Sequence, residues 1–319
     1  GIMTKKKILI TGCSGFVGYN LAQRLSKSNK YQIVGTYFKN KPKLKKKVKL
    51  IRADLTKKND CFKVTKNIDY VFVCSAVTSG AKVILNKPLD HLNPNLIMNT
   101  FLLESSYNNK IKKFIFISSN TVYPVSKKPM SENDTNYKFF DKYFIVGWMK
   151  MFSEVMCEMY SKKIRNPMQT IIVRPGNLYG PFDKFDKEKS KVIPATIRKI
   201  IENNQEIKVW GDGKDLKDFL YIDDFVNGII KILKIKEKFY IVNLANGRSV
   251  TIRDIIKIIL MLTKKKLKVV YDLKIPSMIP VRKIAIKKAR KDLKWSPKTT
   301  LYEGLKKTIS WYKKTYDNY

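Results

Sequence analysis

The chain has 319 residues, 44% of them hydrophobic, which is enough to build a large buried core. Its 65 basic and 26 acidic residues give a formal net charge of +39. The lysines are spread over both halves with no nucleic-acid-reading motif or basic–aromatic stripe, so a solvated lysine-rich surface is favoured and nucleic-acid binding is not. No stretch has membrane-spanning length and no signal peptide is recognised, which predicts a cytoplasmic protein without a membrane partner.

The first predicted element is a strand, a short apolar run bounded by glycines within 6–18, followed by a glycine-rich turn and a helix. Gly12 allows the tight turn, Gly15 lets backbone N–H groups approach a pyrophosphate, and Gly18 lets the helix pack closely on the strand. The alternative is a glycine-rich turn with no ligand. With the ligand, the predicted cofactor contacts of this turn are Gly12, Ser14, Gly15, Phe16, Val17 and Gly18.

Further apolar runs alternate with helical or loop segments, at 32–37, 49–51, 70–73, 113–117 and 170–173. This alternation predicts an α/β fold with a doubly wound parallel sheet, which binds ligands beyond the carboxyl ends of its strands. The second run is followed by Tyr37, Phe38 and Lys39, with no acid to hold a ribose 2′-hydroxyl. The cofactor is therefore expected to be NAD(P)(H), with NADP favoured and NAD left open.

Seven segments together resemble the extended short-chain dehydrogenase/reductases, the NAD-dependent epimerase/dehydratase family. They are 11–18, 53–55, 75–76, 118–123, Lys150, 174–181 and 218–224. Within that family, segments 177–181, 190–195 and 209–211 are most similar to the group of GDP-fucose synthases, GDP-sugar 4-keto reductases and 4-dehydrogenases. The resemblance implies a dinucleotide-binding Rossmann domain over 1–175 with a return segment near 218–247. A smaller mixed α/β lobe, mainly 176–319, would bind the nucleotide-sugar.

The resemblance also implies roles for individual side chains. Asp54 with Leu55 should contact the adenine, and Lys150 should hold the nicotinamide ribose. The remaining predicted cofactor contacts are Tyr37, Lys39, Ser75, Ala76 and Pro175. Ser119 should hydrogen-bond the sugar hydroxyl that becomes a ketone, and the other predicted substrate contacts are Asn177, Val192, Arg198, Trp210, Lys217 and Arg282.

The chain departs from this pattern at its reacting groups. The family tyrosine that transfers a proton, four residues before Lys150, is replaced by Val146. Thr121 and Lys191 stand where the GDP-fucose synthase pattern has a cysteine and a histidine, which makes epimerisation at C3 and C5 improbable. Candidate replacements are Tyr143, one turn before Val146, the nearby Tyr137, and Lys191 with a depressed pKa. The alternative is that Tyr143 packs on the surface and Lys191 pairs with phosphate.

Three further features bear on partners and metals. Segments 94–104 and 149–160 have apolar faces that the resemblance assigns to a four-helix interface in a homodimer or homotetramer, although core packing would give the same pattern. His91, the only histidine, is expected in a loop between prolines and not on a metal. The four cysteines lack metal spacing and are expected to be reduced thiols.

The sequence therefore predicts an NAD(P)-dependent oxidoreductase acting at C4 of a nucleotide-sugar. A GDP-hexose or GDP-heptose is favoured, processed by a 4-dehydrogenase or 4-keto reductase of surface polysaccharide (capsule) biosynthesis. A 4-epimerase, or a catalytically weak dinucleotide-binding sensor, is the alternative, because Val146 cannot transfer a proton. Without a positioned acid or base, hydride transfer is expected to lose roughly 10²–10⁴-fold in rate.

Overall fold

A computed structural model describes residues 4–44, 47–77, 81–187, 190–275 and 279–316. Seven strands form a central sheet in the order β10-β6-β5-β4-β1-β2-β3, in which β1 to β6 pair in parallel. The strands of this sheet are β1 (Lys6–Thr11), β2 (Tyr31–Tyr37), β3 (Val48–Arg52), β4 (Tyr70–Val73), β5 (Lys113–Ile117), β6 (Gln169–Pro175) and β10 (Phe239–Leu244). The predicted doubly wound α/β class and its first six strands are confirmed.

Two smaller sheets complete the strands. One has the order β11-β9-β7, and the other pairs β12 with β8 in parallel. Their strands are β7 (Asn177–Tyr179), β8 (Glu206–Trp210), β9 (Leu216–Tyr221), β11 (Ser249–Thr251) and β12 (Lys268–Asp272).

The helices lie between these strands and after them. They are α1 (Phe16–Leu25), α2 (Lys58–Thr65), α3 (Ala81–Asn86), α4 (Pro88–Asn108), α5 (Phe144–Lys162), α6 (Val192–Glu202), α7 (Ile222–Ile232), α8 (Ile252–Thr263), α9 (Lys287–Leu293) and α10 (Leu301–Tyr316). Within the described ranges, no helix is both long and apolar enough to cross a membrane.

The chain divides into two compact units. The first contains the described residues up to Val122, together with Tyr143–Arg174 and Ile232–Val242. The second contains Tyr123–Lys142, Pro175–Lys231 and the described residues from Asn243 onward. The predicted assignment of cofactor and sugar to domains with boundaries at 175 and 176 stays a prediction.

The expectation of a loop around His91 is wrong, because this residue lies in the first turns of α4. Pro88 occupies the start of the helix, where its missing N–H breaks no bond. Pro94 lies inside α4 without ending it, since the helix buries Asn95, Met98, Asn99 and Leu102 further along the same element. Tertiary burial has outweighed a local helix-breaking signal.

A buried ion pair ties α5 to the ends of two strands. Arg174 on β6 and Glu154 on α5 are 2% and 3% exposed, and Arg174 Nη2 lies 2.5 Å from Glu154 Oε1. Arg174 Nε also donates to both carboxylate oxygens, at 3.2 and 3.1 Å. Ser118, just beyond β5, donates its hydroxyl to Glu154 Oε2 at 2.5 Å. The two nitrogens of Arg174 and the Ser118 hydroxyl thus all donate to the Glu154 carboxylate, whose charge would otherwise be costly to bury.

Replacing Glu154 with Gln should therefore destabilise the protein by about 3–5 kcal/mol, because it leaves the Arg174 guanidinium buried without its counter-charge. The matched control is Glu158→Gln on the same helix, whose partner Lys162 is half exposed. That exposed pair should contribute less than about 1 kcal/mol. Urea unfolding of the three proteins measures both, and similar losses in the two variants would contradict the role of the buried pair.

Candidate functional site

The glycine-rich turn between β1 and α1 forms an open backbone cradle. Gly12 has φ +70°, and a Cβ there would lie 2.7 Å from Ser75 Cα. A Cβ on Gly18 would lie 2.8 Å from the carbonyl carbon of Gly12. The protein's own backbone thus requires both glycines.

Gly15 is less constrained, because among the described residues the one atom within 4 Å of its Cβ would be the Gly12 carbonyl oxygen, in a tight contact at 3.3 Å. The fold leaves more room at this N-cap of α1 than at Gly12 or Gly18. Glycine there leaves room for an anion to approach the N–H groups at the helix N-terminus. This geometry fits the pyrophosphate of a dinucleotide.

The cradle lies at the switch point of the sheet, since β1 is flanked by β2 on one side and β4 on the other. Side chains lock the ends of β1 and β4 together there. The Thr11 hydroxyl lies 2.8 Å from that of Ser75 and accepts the backbone N–H groups of Cys74 and Ser75, each at 3.2 Å. Parallel sheets bind ligands at this kind of crevice.

The predicted adenine end lies after β2 and β3. Asp54 is half-buried and accepts the backbone N–H and the hydroxyl of Thr56 through Oδ1, at 3.1 and 2.6 Å. Lys39 is exposed after β2, and Arg52, opposite Tyr37 in the sheet, donates Nε to Phe38 O at 3.2 Å. Sequence reasoning missed Arg52, because the strand register and not the sequence separation brings it to the end of β2.

The predicted nicotinamide end is built by α5 and the turn after β5. Lys150 is half-buried, its ammonium donates to Ile117 O at 3.3 Å, and it lies 5.3 Å from the ring centroid of Phe116. The Ser119 hydroxyl accepts the backbone N–H and the hydroxyl of Thr121, at 3.1 and 2.9 Å. The structure thus brings Ser119, Thr121 and Lys150 to the same end of β5.

Position 146 presents no proton-transfer group to this end of the sheet. Val146 is half-buried on α5, one turn before Lys150. Tyr143 is the N-cap residue of the same helix, and burial raises the pKa of its hydroxyl. A raised pKa makes Tyr143 a weaker candidate for accepting a proton at neutral pH.

The structure adds His91, which sequence reasoning had set aside as a loop residue. The residue is 7% exposed, and among the described residues neither ring nitrogen has a hydrogen-bond partner. Burial lowers the pKa of His91, and the charge of Lys150 lowers it further. No group of three or more potential metal ligands occurs in the described ranges.

The predicted substrate residues of the second unit fall into three groups by burial. Asn177, Val192 and Lys217 are half-buried, while Lys191 and Trp210 are exposed. Arg198 and Arg282 are buried and bound to backbone carbonyls of their own unit, Arg198 to Phe185 O at 2.6 Å and Arg282 to Pro124 O at 2.7 Å. The roles of all seven toward a nucleotide-sugar stay predictions.

Two cationic side chains in the second unit have lowered pKa values. Burial lowers the pKa of Lys217; the charge of Asp215 opposes this shift and that of Arg282 adds to it. Burial also lowers the pKa of Arg282 to about 10, and its Nε has no partner among the described residues.

Asp183 was not anticipated from the sequence. It is 5% exposed, and its Oδ2 has no hydrogen-bond partner in the described part of the chain. Burial raises its pKa to about 6, against the opposing charge of Lys191. The second unit therefore carries buried, incompletely bonded groups of both signs.

Comparison with known proteins agrees with this geometry. The model of the NAD dependent epimerase/dehydratase family matches residues 8–245. The chain is 29% identical to the putative GDP-L-fucose synthase 2 of Arabidopsis thaliana, over 96% of this chain and 91% of that protein. It is 25% identical to the GDP-L-fucose synthase of Escherichia coli K12, over 99% of both.

A solved structure is similar over nearly the whole chain. It is the UDP-glucuronic acid 4-epimerase of Bacillus cereus in complex with UDP-glucuronic acid and NAD. The TM-score is 0.85 with 26% identity, covering 97% of this chain and 100% of the epimerase. The family match covers well over half of the chain, so the chain belongs to the NAD dependent epimerase/dehydratase family.

Gly15 and Gly18 are expected to have different functions in the cradle, ligand binding for Gly15 and backbone packing for Gly18. Gly15→Val should leave the thermal midpoint within a few degrees of the wild type and abolish detectable NAD(P) binding, because its side chain enters the space predicted for the pyrophosphate. Gly18→Ala should instead lower the midpoint, since its Cβ overlaps the Gly12 backbone. Fluorescence titration with dinucleotide and thermal unfolding measure the pair. Unchanged NAD(P) affinity in Gly15→Val would contradict the cradle.

Proposed function

We propose that this family member transfers a hydride between C4 of a GDP-linked sugar and a nicotinamide dinucleotide, as a 4-dehydrogenase or a 4-keto reductase. The observation that carries the proposal is the juxtaposition in the first unit of an open glycine cradle, at Gly15, with Ser119 and Lys150 at the end of β5. The cradle suits a pyrophosphate, and a hydroxyl and an ammonium at the same end of β5 suit a sugar alcohol and a ribose.

The dinucleotide, when bound, supplies the hydride acceptor or donor. Gly12 to Gly18 would hold its pyrophosphate and Asp54 its adenine, and Ser75, Ala76 and Lys150 would border the rest. The cations Lys39 and Arg52 after β2 and β3 favour a 2′-phosphate and hence NADP. The similar Bacillus cereus epimerase holds NAD, which keeps NAD as the alternative.

The GDP assignment is supported by the relatives, two of which are named for GDP-L-fucose. In the second unit, Lys191, Lys217 and Arg198 supply positive charge suited to a diphosphate. We place the product, a modified GDP-hexose or GDP-heptose, among the activated sugars used for surface polysaccharide such as a capsule.

Two side chains argue against epimerisation at C3 and C5. The Thr121 hydroxyl is already donated to Ser119, and Lys191 is a lysine in an exposed position. Neither is a thiol or an imidazole poised near neutral pH. Oxidation or reduction at C4 needs only one proton transfer beside the hydride.

A second function, a sensor that binds dinucleotide and sugar without turning them over, is favoured by one observation. Val146 places only methyl groups one turn before Lys150. In that case both ligands would bind and no hydride would move.

The nucleotide assignment can be checked by ligand stabilisation. Thermal midpoints should rise more with GDP than with UDP, dTDP or CDP at equal concentration, because stabilisation follows the ratio of ligand concentration to dissociation constant. At a hundredfold excess over the dissociation constant the expected gain is about 2.7 kcal/mol. An equal or larger rise with UDP would assign the chain to UDP-sugars instead.

Self-association is expected through α5, whose exposed apolar side chains follow helical spacing. They are Phe144, Trp148, Phe152, Val155 and Met159, each 39 to 49% exposed. A stripe of this kind is typical of an interface between copies of a chain. We propose that it forms the interface of a homodimer or homotetramer.

Phe152→Glu should reduce the mass measured by light scattering, because a carboxylate would be buried at the interface. The matched control is Met261→Glu on α8, a side chain that is 59% exposed and outside the stripe. The control should keep the wild-type mass. A monomeric wild type, or an unchanged mass in Phe152→Glu, would contradict this interface.

A further inference from the structure

His91 is a buried histidine whose ring nitrogens have no hydrogen-bond partner among the described residues. The residue is 7% exposed, and both Nδ1 and Nε2 are buried. Leaving a buried polar group unpaired costs about 1–3 kcal/mol. Such a group in a folded protein calls for an explanation, and a role in proton transfer is one.

The helix register places His91 at the same level along α4 as Val146, the position that lacks a proton-transfer group, along α5. Asn99 Nδ2 of α4 donates to Ser153 Oγ of α5 at 3.0 Å, and Thr100 Oγ1 lies 3.6 Å from Met156 Sδ. From the first contact to the second, the residue number increases on both helices, so α4 and α5 run in the same direction.

Counting back from the first contact compares the levels of the two helices. His91 lies eight residues before Asn99, or about 12 Å along α4, and Val146 lies seven residues before Ser153, or about 10 Å along α5. The imidazole therefore lies at the level of Val146.

The same turn of α4 is tied to the segment after β4. Asn95 Nδ2 donates to His91 O at 2.7 Å and to Val77 O at 3.2 Å, and its Oδ1 accepts the Val77 N–H at 2.9 Å. Ser75 and Ala76, predicted to border the cofactor, directly precede Val77. The turn of α4 that carries His91 is thus tied to the predicted cofactor segment.

Among the described charged groups on the surrounding elements, Lys150 is the one whose charge lowers the pKa of the His91 ring. Cys74, after β4, has a thiol whose pKa is raised by burial, so it is neutral. Lys87, the N-cap residue of α4, and Asp90 both precede His91 and are exposed. The ion pair of α2 with α4, Lys58 with Glu104, lies at the other end of α4.

We propose that His91 is the proton-transfer residue that takes over the role for which Val146 has no group. The inference rests on the proposed function. When the sugar alcohol is oxidised, its O–H bond breaks and an N–H bond forms on the neutral imidazole, while the hydride from C4 passes to the oxidised nicotinamide dinucleotide and C4=O forms. In reduction the imidazolium returns the proton to the C4 oxygen.

Burial and Lys150 favour the neutral ring, which is the form that accepts a proton. Because both nitrogens are shielded from solvent, the proton passes through one bridging water or after a rotation of the ring.

The first test needs no turnover. His91 is the only histidine, so a protein prepared without a histidine tag gives one imidazole signal in an NMR titration. Lys150→Met should raise the pKa of His91, because it removes the neighbouring positive charge. The matched control is Lys162→Met, about 18 Å further along the same helix, which should leave it unchanged. An unchanged pKa in Lys150→Met would overturn the placement of the ring.

The second test measures single-turnover hydride transfer with a GDP-sugar against pH. His91→Phe keeps the ring volume, and it should slow transfer by roughly 10²–10⁴-fold and abolish the break in the profile at the imidazole pKa measured by NMR. The double variant His91→Phe/Val146→Tyr should regain rate, with the break moved to the range of a phenol. Thermal midpoints of the variants report folding.

The outcomes separate the two proposals. If the wild type reacts and His91→Phe keeps both rate and pH break, the His91 inference is wrong and the proposed function stands. The His91 inference is also wrong if His91→Phe loses rate equally at every pH and Val146→Tyr does not restore it. It is wrong as well if the break in the pH profile disappears in Tyr143→Phe and not in His91→Phe. If the wild type binds both ligands and transfers no hydride, the proposed function fails first.

Discussion

The buried pair of Glu154 with Arg174 is the constraint on which the candidate site depends. It fixes the middle of α5 against β6. The Ser118 hydroxyl donates to the same Glu154 carboxylate and so links α5 to the end of β5 as well. Lys150 lies one turn before Glu154, and Ser119 directly follows Ser118, so one buried carboxylate sets the positions of both. A charged pair at this depth adds little net stability over an apolar one, but its strict geometry holds the two side chains in one arrangement.

The site therefore combines a rigid frame with altered reacting groups. The backbone cradle and the Ser119 and Lys150 pair would bind and orient a dinucleotide and a sugar, and alignment alone supplies a large part of a hydride-transfer barrier. Proton transfer is a separate requirement from binding and alignment of the two ligands. It is missing at Val146, and His91 lies at the same level of the neighbouring helix, where burial and Lys150 keep the ring neutral. In the proposed mechanism the proton-transfer group lies on α4 instead of α5, and the same frame holds both ligands.

Local patterns predicted most of the fold and the cradle. Strands such as Tyr70–Val73 and Lys113–Ile117 are short apolar runs whose bounds the structure reproduces. Gly18 is required by a contact within one turn, with the Gly12 backbone, whereas Gly12 is required by the backbone of Ser75 after β4. His91 and Arg52 were missed, because helix register and strand register bring them to the site from distant segments. The prolines around His91 also favoured a loop locally, whereas burial of α4 decided the outcome.

The central claim is that a hydride leaves or reaches C4 of a GDP-sugar. The direct measurement is isotope transfer: a GDP-hexose carrying deuterium at C4 is incubated with the protein and oxidised dinucleotide, and the recovered nicotinamide is analysed by mass spectrometry. The account predicts deuterium in the nicotinamide ring, at a rate that depends on pH. Binding of both ligands with no deuterium transferred from any GDP-hexose or GDP-heptose would contradict it and leave a binding protein without turnover.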